Sequence, residues 1–314
     1  YQYNTASHQS NFLIPLLIIC FGIDKPKHLV EMKIIERISL WVTMSIVVAL
    51  ILIVMTISFS GCSKETIGPS ISFNEIFVDV GTHNLKSFSY SNGSNYLVVF
   101  ESGLGDDHGV WNVKDITGKI SNSADVLLYD RAGYGGSGES TGLRGIDRLS
   151  TELNLVIDQF ANNRKVILVG HSLGGMIIRD FAIKYPSKTA ALLFVDTSHE
   201  LFNNLTQPEE DMIYKNFKDT HGTNFGGTLE AKELIENTQY MQSLPSLPDV
   251  PVVVLTSMLV DAQHDAESKQ RWYNSHENLK EGVSDFTHIT TTKSGHYIQI
   301  QEPQLVIENI MTRF

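Results

Sequence analysis

The sequence predicts an α/β fold: a mostly parallel, doubly wound sheet with helices on both faces. Three observations carry that prediction. The segments 95–105, 165–170, 189–198 and 250–257 contain solid apolar runs such as "LVVF", "VILV", "ALLFV" and "PVVVL", and a strand apolar at every position is one covered on both sides. Between the runs lie stretches with apolar residues at helical spacing, so strands and helices alternate along the chain. Glycines cluster where several runs end, as in "SGLG", "GYGGSG" and "GHSLGG", marking the tight turns that join strand to helix.

The elements follow in order. Segments 72–80 and 83–93 read as two strands around a glycine-containing turn, an opening hairpin. After the strand at 95–105, Val110, Val113, Ile116 and Ile120 are spaced as one face of a helix. "DVLLYDRAGYGGSG" repeats the theme of strand and glycine loop, and Ile146, Leu149, Leu153, Val156, Ile157 and Phe160 form the next helical stripe. "KVILVG" and "TAALLFVDTS" are strands. Residues 200–245 are polar and acidic and break the rhythm between two core strands, so they are predicted to be an inserted helical lid. "VPVVVLTS", a weaker strand at 286–292 and a closing helix at 303–314 complete the domain, which spans 72–314.

The 314 residues are enough for one large domain with a full core. A net charge of −11, with no stripe of Lys or Arg to neutralise phosphates, excludes a nucleic-acid partner. The N-terminus has a different character. Residues 38–59 contain no charged side chain and are long enough to cross a bilayer core of about 30 Å as a helix. "MKIIER" precedes them and "SGCSK" follows, the order of a secretory signal. Residues 32–61 are therefore expected to be a signal peptide or an uncleaved membrane anchor, and 62–71 a linker. The segment resembles a bacterial lipoprotein signal, which implies cleavage before Cys62 and lipidation of its thiol. Cys20 and Cys62 are the only cysteines, so a chain mature from Cys62 has no internal disulfide. A cleaved signal or an anchor alike would tether the globular part to the membrane on its extracytoplasmic face. Residues 1–31 are expected to be upstream read-through or a mis-started segment, Met32 being the more natural start.

The chemistry centres on Gly170-His171-Ser172-Leu173-Gly174, a GxSxG between an apolar strand and an apolar helix. A sharp strand-to-helix turn holds the serine in a strained conformation, and the flanking glycines let neighbouring chains approach it. A serine hydroxyl is a poor nucleophile at neutral pH and needs a base, which in turn needs a carboxylate to orient it. "DRAGYGGSG" lacks the Lys-Ser/Thr ending of a phosphate loop, and no ribose-binding acid accompanies it. It reads as a tight turn beside the active site. There is no HExxH and no paired-cysteine spacing, so no metal or cofactor is implied.

In "VVFESGLGDDHGVW", "LLYDRAGYGGSG", "LVGHSLGGMIIRDFAIKYP", "LLFVDTS" and "SGHYIQIQEP", taken in that order, the sequence resembles the α/β hydrolase superfamily from about residue 72 to the C-terminus. The resemblance implies a chain order of nucleophile, acid, histidine. Ser172 takes the first role and His296, in "KSGHYIQIQEP", the third. Asp261, beyond the strand at 250–257, is expected to be the acid, with Asp196 after the preceding strand and Asp265 as alternatives. The oxyanion donors implied are the backbone N–H groups of Leu173 and Leu104. The chain departs from the superfamily in one place: a His-Gly pair is frequent in the oxyanion loop, and here Ser102-Gly103 follows Glu101. Glu101 is then a buried partner for Arg131 or a solvated residue. The expected activity is that of a carboxylesterase-like serine hydrolase cleaving a small-molecule ester or related acyl bond. Aminopeptidase, thioesterase, lactonase or haloperoxidase-like activity on the same fold, and a non-enzymatic ligand-binding or signalling role, remain the alternatives.

Overall fold

The computed structural model describes residues 71–314 except Gln263. The expected upstream segment, signal or anchor, Cys62 and all but the last residue of the linker lie outside the described residues. Among the described residues no helix is long and apolar enough to cross a membrane.

Eight strands form one sheet in the order β1-β2-β4-β3-β5-β6-β7-β8. They are β1 (Asn74–Asp79), β2 (Asn84–Tyr90), β3 (Leu97–Glu101), β4 (Asp125–Tyr129), β5 (Val166–His171), β6 (Thr189–Val195), β7 (Val252–Ser257) and β8 (Phe286–Thr291). The opening hairpin pairs antiparallel, and β2 joins β4 antiparallel. Every other pairing is parallel. The expectation of a mostly parallel sheet from solid apolar runs is thus met: every residue of β3, β4, β5 and β7 is buried.

Because side chains alternate across a strand, each run supplies two cores. Leu97, Val99, Leu127, Leu168, Leu192 and Phe194 face one side, where α3 (Ile146–Phe160) and α4 (Leu173–Lys184) pack. Val98, Phe100, Val126, Leu128, Val169 and Leu193 face the other. That side is covered by α1 (Gly109–Asn112), α2 (Ile116–Ile120) and the closing α10 (Pro303–Met311), which follows α9 (Ile298–Gln301). The edge strand β8 is mostly half-buried, which is why its apolar pattern is weak.

One helix differs from expectation. Val110 to Ile120 do not form a single helix, because Lys114 and Asp115 adopt φ of 61° and 59° and break it into two short pieces. The Asp115 carboxylate folds over Gly118, in space that any larger residue there would occupy.

Between β6 and β7 the chain forms α5 (Gln207–His221), α6 (Gly226–Glu230) and α7 (Leu234–Gln242). α5 begins with a capping box, in which Thr206 and Glu209 satisfy each other's backbone N–H groups. The last α-helix before β8 is α8 (Ala266–Glu277).

Candidate active site

β5 ends at His171 and α4 starts at Leu173, leaving Ser172 alone at the turn with φ 53° and ψ −121°. A non-glycine residue in that region costs on the order of 1 to 3 kcal/mol and persists only when its surroundings enforce it. They do so here. The Ser172 N–H donates to the Val195 carbonyl (3.3 Å), and the Ser172 carbonyl accepts from Gly175 and Ser198 (both 3.0 Å). A side chain at Gly174 would collide with the carbonyls of Glu101 and Ser102, and one at Gly170 would come within 2.7 Å of the Gly174 carbonyl oxygen. The two glycines of GxSxG therefore let α4 press against β3 and β5.

The loop after β3 meets this turn directly. A Cβ at Gly103 would lie 3.2 Å from the Ser172 Cβ. Leu173 is the first residue of α4, so its N–H has no partner within the helix. Across the loop, the Arg131 guanidinium donates to the carbonyls of Ser102 (2.7 Å) and Gly103 (2.8 Å), and the Tyr134 hydroxyl accepts from the Gly105 N–H (3.1 Å). The expected donor, Leu104, sits between these pinned groups. Of the two readings of Glu101, burial is the one observed: it is 1% exposed and accepts from Arg131 Nη1 at 2.8 Å. Ser102 stands where the superfamily often has a histidine, and the buried Glu101 and Arg131 side chains support the loop around it.

His296 lies on the loop between β8 and α9 and is hydrogen-bonded through Nδ1 to Asp196 Oδ2 at 2.8 Å. Its side chain is 43% exposed, open to a substrate, while Asp196 is 2% exposed. The imidazoles of His171 and His296 pack with centroids 4.6 Å apart, and His171 Nε2 donates to the His296 carbonyl (3.0 Å). These contacts bring the His296 loop to the residue preceding Ser172.

The expected acid, Asp261, is not the residue that partners His296. It belongs to a surface turn, where its carboxylate accepts from the His264 N–H at 2.7 Å. Asp265 caps α8, accepting from the Ser268 N–H at 2.8 Å. Asp196, named by the sequence as an alternative, is the carboxylate that meets His296. The physical reason is reach: Asp196 directly follows the last residue of β6, whereas β7 ends at Ser257 and Asp261 lies four residues farther on. In a parallel sheet, groups at the carboxyl ends of the strands converge on the ligand crevice.

The surroundings of Asp196 suit a fixed carboxylate. Oδ1 accepts from the Ser257 N–H and from Trp272 Nε1, both at 2.8 Å. Burial by itself pushes such a group up, but the hydrogen bond and charge of His296, with His276 and Trp272 behind it, hold Asp196 below the usual carboxylate range. No sequence motif marks Trp272 as a partner of Asp196. Its only signal was an apolar ring in an otherwise polar helix. His171 is pushed down to about 3, first by burial and then by His296, so it is neutral.

Among the described residues one group, Asp107, His108 and Asp130, is close enough to be considered for a metal. Its atoms are already engaged: Asp130 Oδ1 accepts from the N–H (3.0 Å) and Nδ1 (2.7 Å) of His108, and Asp107 Oδ1 accepts from the Gly109 N–H (2.8 Å).

Comparison with known proteins agrees with this architecture. The family model described as alpha/beta hydrolase fold matches residues 96–310. The chain is a member of the alpha/beta hydrolase fold family. YqjL of Bacillus subtilis (strain 168) is 26% identical over 215 residues, covering 68% of this chain and 81% of YqjL. The match to the putative carbamate hydrolase RutD of Azorhizobium caulinodans is shorter, 28% over 104 residues, covering 33% of this chain and 38% of RutD. Among solved structures, Cfl2 of Burkholderia cenocepacia superposes with a TM-score of 0.60 at 15% identity, over 79% of this chain and 98% of that one. A hydrolase of Pseudomonas aeruginosa PA01 gives 0.60 at 15%, over 76% and 98%. At such identities the structural likeness concerns the fold alone.

Proposed function

We propose that the chain is a serine hydrolase that cleaves a carboxylic ester or related acyl bond of a small molecule, with Ser172 as nucleophile, His296 as base and Asp196 as the acid that orients it. The observation that carries this reading is the 2.8 Å bond from His296 Nδ1 to a buried, fully hydrogen-bonded Asp196, on a loop packed against the residue before Ser172. The carboxylate fixes the tautomer with the proton on Nδ1, which leaves Nε2 free to take a proton. The Ser172 hydroxyl attacks the acyl carbon while its proton passes to His296 Nε2. The oxyanion is stabilised by the N–H groups of Leu173 and Leu104. The imidazolium returns the proton to the departing alcohol, and water then releases the acyl group by the same steps reversed in role. Helices α5 to α7 act as the lid that shapes the acyl pocket.

Two further readings belong to the same proposal. Carboxylesterase activity is the preferred reading, and aminopeptidase, thioesterase, lactonase or haloperoxidase-like activity would draw on similar residues of the same fold. Export with a lipid on Cys62 is the proposed localisation, tested by metabolic labelling with a radioactive fatty acid, which a Cys62→Ala chain should not incorporate.

The deciding experiment is a p-nitrophenyl ester chain-length series with the full chain, together with labelling by a fluorophosphonate. Hydrolysis and labelling should both vanish in Ser172→Ala. Equal rates in the two proteins would defeat the mechanism, and absence of a Ser172 adduct in folded protein would favour a binding module.

A further inference from the structure

The oxyanion loop is tied to the inserted helices by a buried cluster that the proposed chemistry does not itself require. Arg131, 3% exposed, donates to the carbonyls of Ser102 and Gly103 and to Glu101. Its remaining donors form a two-pronged pair with Glu230, Nε to Oε1 at 2.8 Å and Nη2 to Oε2 at 2.9 Å. Glu230 is wholly buried and belongs to α6, nearly a hundred residues later in the chain. The Tyr134 hydroxyl donates to the same Glu230 (2.6 Å) while accepting from the Gly105 N–H. Three backbone groups flanking Leu104, the carbonyls of 102 and 103 and the N–H of 105, are therefore held by two side chains that both end on Glu230.

The docking of α6 is equally specific. The Gly226 N–H donates to the Gly133 carbonyl at 3.1 Å, and a Cβ on Gly226 would collide with the Ala132 carbonyl. Phe225 packs edge-on against Tyr134 at 4.7 Å, and Phe217 of α5 covers Gly105 so closely that a Cβ there would lie 3.2 Å from its ring. Breaking one partner from a buried ion pair leaves the other charge uncompensated. Glu101 is a poor sole substitute, since burial pushes its carboxyl up in spite of Arg131 and the Tyr129 hydroxyl. Without Glu230, the Arg131 guanidinium has reason to shift, and the loop carbonyls it holds shift with it.

We infer that Glu230 is a positioning residue for the oxyanion hole, so that the site is complete only when the inserted helices are docked. This rests on the serine hydrolase reading above. It assigns the insert a part in the chemical step in addition to any part in shaping the pocket.

The test uses the full chain and a p-nitrophenyl ester, with inhibition by a trifluoromethyl ketone that mimics the tetrahedral state. Loss of an oxyanion donor lowers kcat by about 100- to 1000-fold, so a displaced one should lower it by roughly 10- to 100-fold. Glu230→Gln, which keeps an acceptor, is expected to lose kcat with KM nearly unchanged, and Glu230→Ala to lose more. Ketone affinity should weaken by the same factor as kcat/KM. Tyr134→Phe removes one loop contact without stranding a charge, and keeps the test alive if the Glu230 variants do not fold; it should show the same split with a smaller loss. A change confined to KM, or unchanged kcat in soluble Glu230→Gln, overturns the inference. Failure of the underlying reading is separate, because it appears as Ser172→Ala retaining wild-type activity.

Discussion

At the scale of single residues, position relative to strand ends decided which acid meets His296. Asp196 leaves β6 with φ 42°, a left-handed conformation that turns its carboxylate back under the sheet edge toward Ser257 and Trp272. Nothing in the residues "VDTS" announces that turn. Asp196→Asn should lower kcat by about 10³- to 10⁴-fold, because an amide can stabilise the wrong imidazole tautomer. Asp261→Asn should leave ester turnover within a few-fold of wild type; the opposite ranking in steady-state kinetics would reject the assignment. Asp106 offers a second residue-scale prediction. Burial raises its carboxyl to about 6 from an ordinary 3.8, against the pull of His296 and Arg131. Between those values the folded chain holds a proton that the unfolded chain has released, so stability falls as pH rises through the window. A rise of that size corresponds to roughly 3 kcal/mol. Asp106→Asn removes the penalty. Its stability relative to wild type should therefore improve between pH 4 and pH 7, as read by urea unfolding at each pH, and an identical difference at both ends would count against this account.

At the scale of elements, α8 contributes to the site although its sequence is mostly polar. Trp272 Nε1 donates to Asp196, and its ring packs against Phe202 at 4.7 Å and His276 at 4.5 Å. His276 Nε2 in turn donates to the Thr197 carbonyl at 2.7 Å. Burial lowers the His276 pKa to about 4, so this ring is neutral and fixes the Asp196 loop through hydrogen bonds. Trp272→Phe keeps the packing and deletes one hydrogen bond to a charged group, a loss of about 1.5 to 3 kcal/mol where it acts. It should reduce kcat by about tenfold or more and leave fluorophosphonate labelling of Ser172 detectable. An unchanged rate would mean that Ser257 alone suffices to hold the carboxylate. The elements themselves were largely legible. Solid apolar runs gave the buried strands, and the stripe from Ile146 to Phe160 gave α3. The helix expected over Val110 to Ile120 failed, because apolar spacing cannot report the left-handed Lys114 and Asp115 that break it.

At the scale of the whole molecule, the sheet brings together side chains that the sequence separates widely. β5, β6 and β7 lie side by side in parallel, so Ser172, Asp196 and Ser257 leave the sheet along its carboxyl edge. β8 extends that edge and delivers the loop that carries His296. The buried ion cluster works across a similar span, joining β3, the turn after β4 and the insert through Glu101, Arg131 and Glu230. By itself the sequence determined what depends on local pattern, the parallel strands from apolar runs and the elbow from Gly170 to Gly174, while its resemblance to the superfamily pointed to the loop at His296. Tertiary structure alone decided which of three aspartates faces that histidine, and that Glu230 pairs with the arginine holding the loop after β3. Both choices depend on where a side chain arrives in space after many intervening residues, and strand order and loop reach fix that, whereas residue type does not.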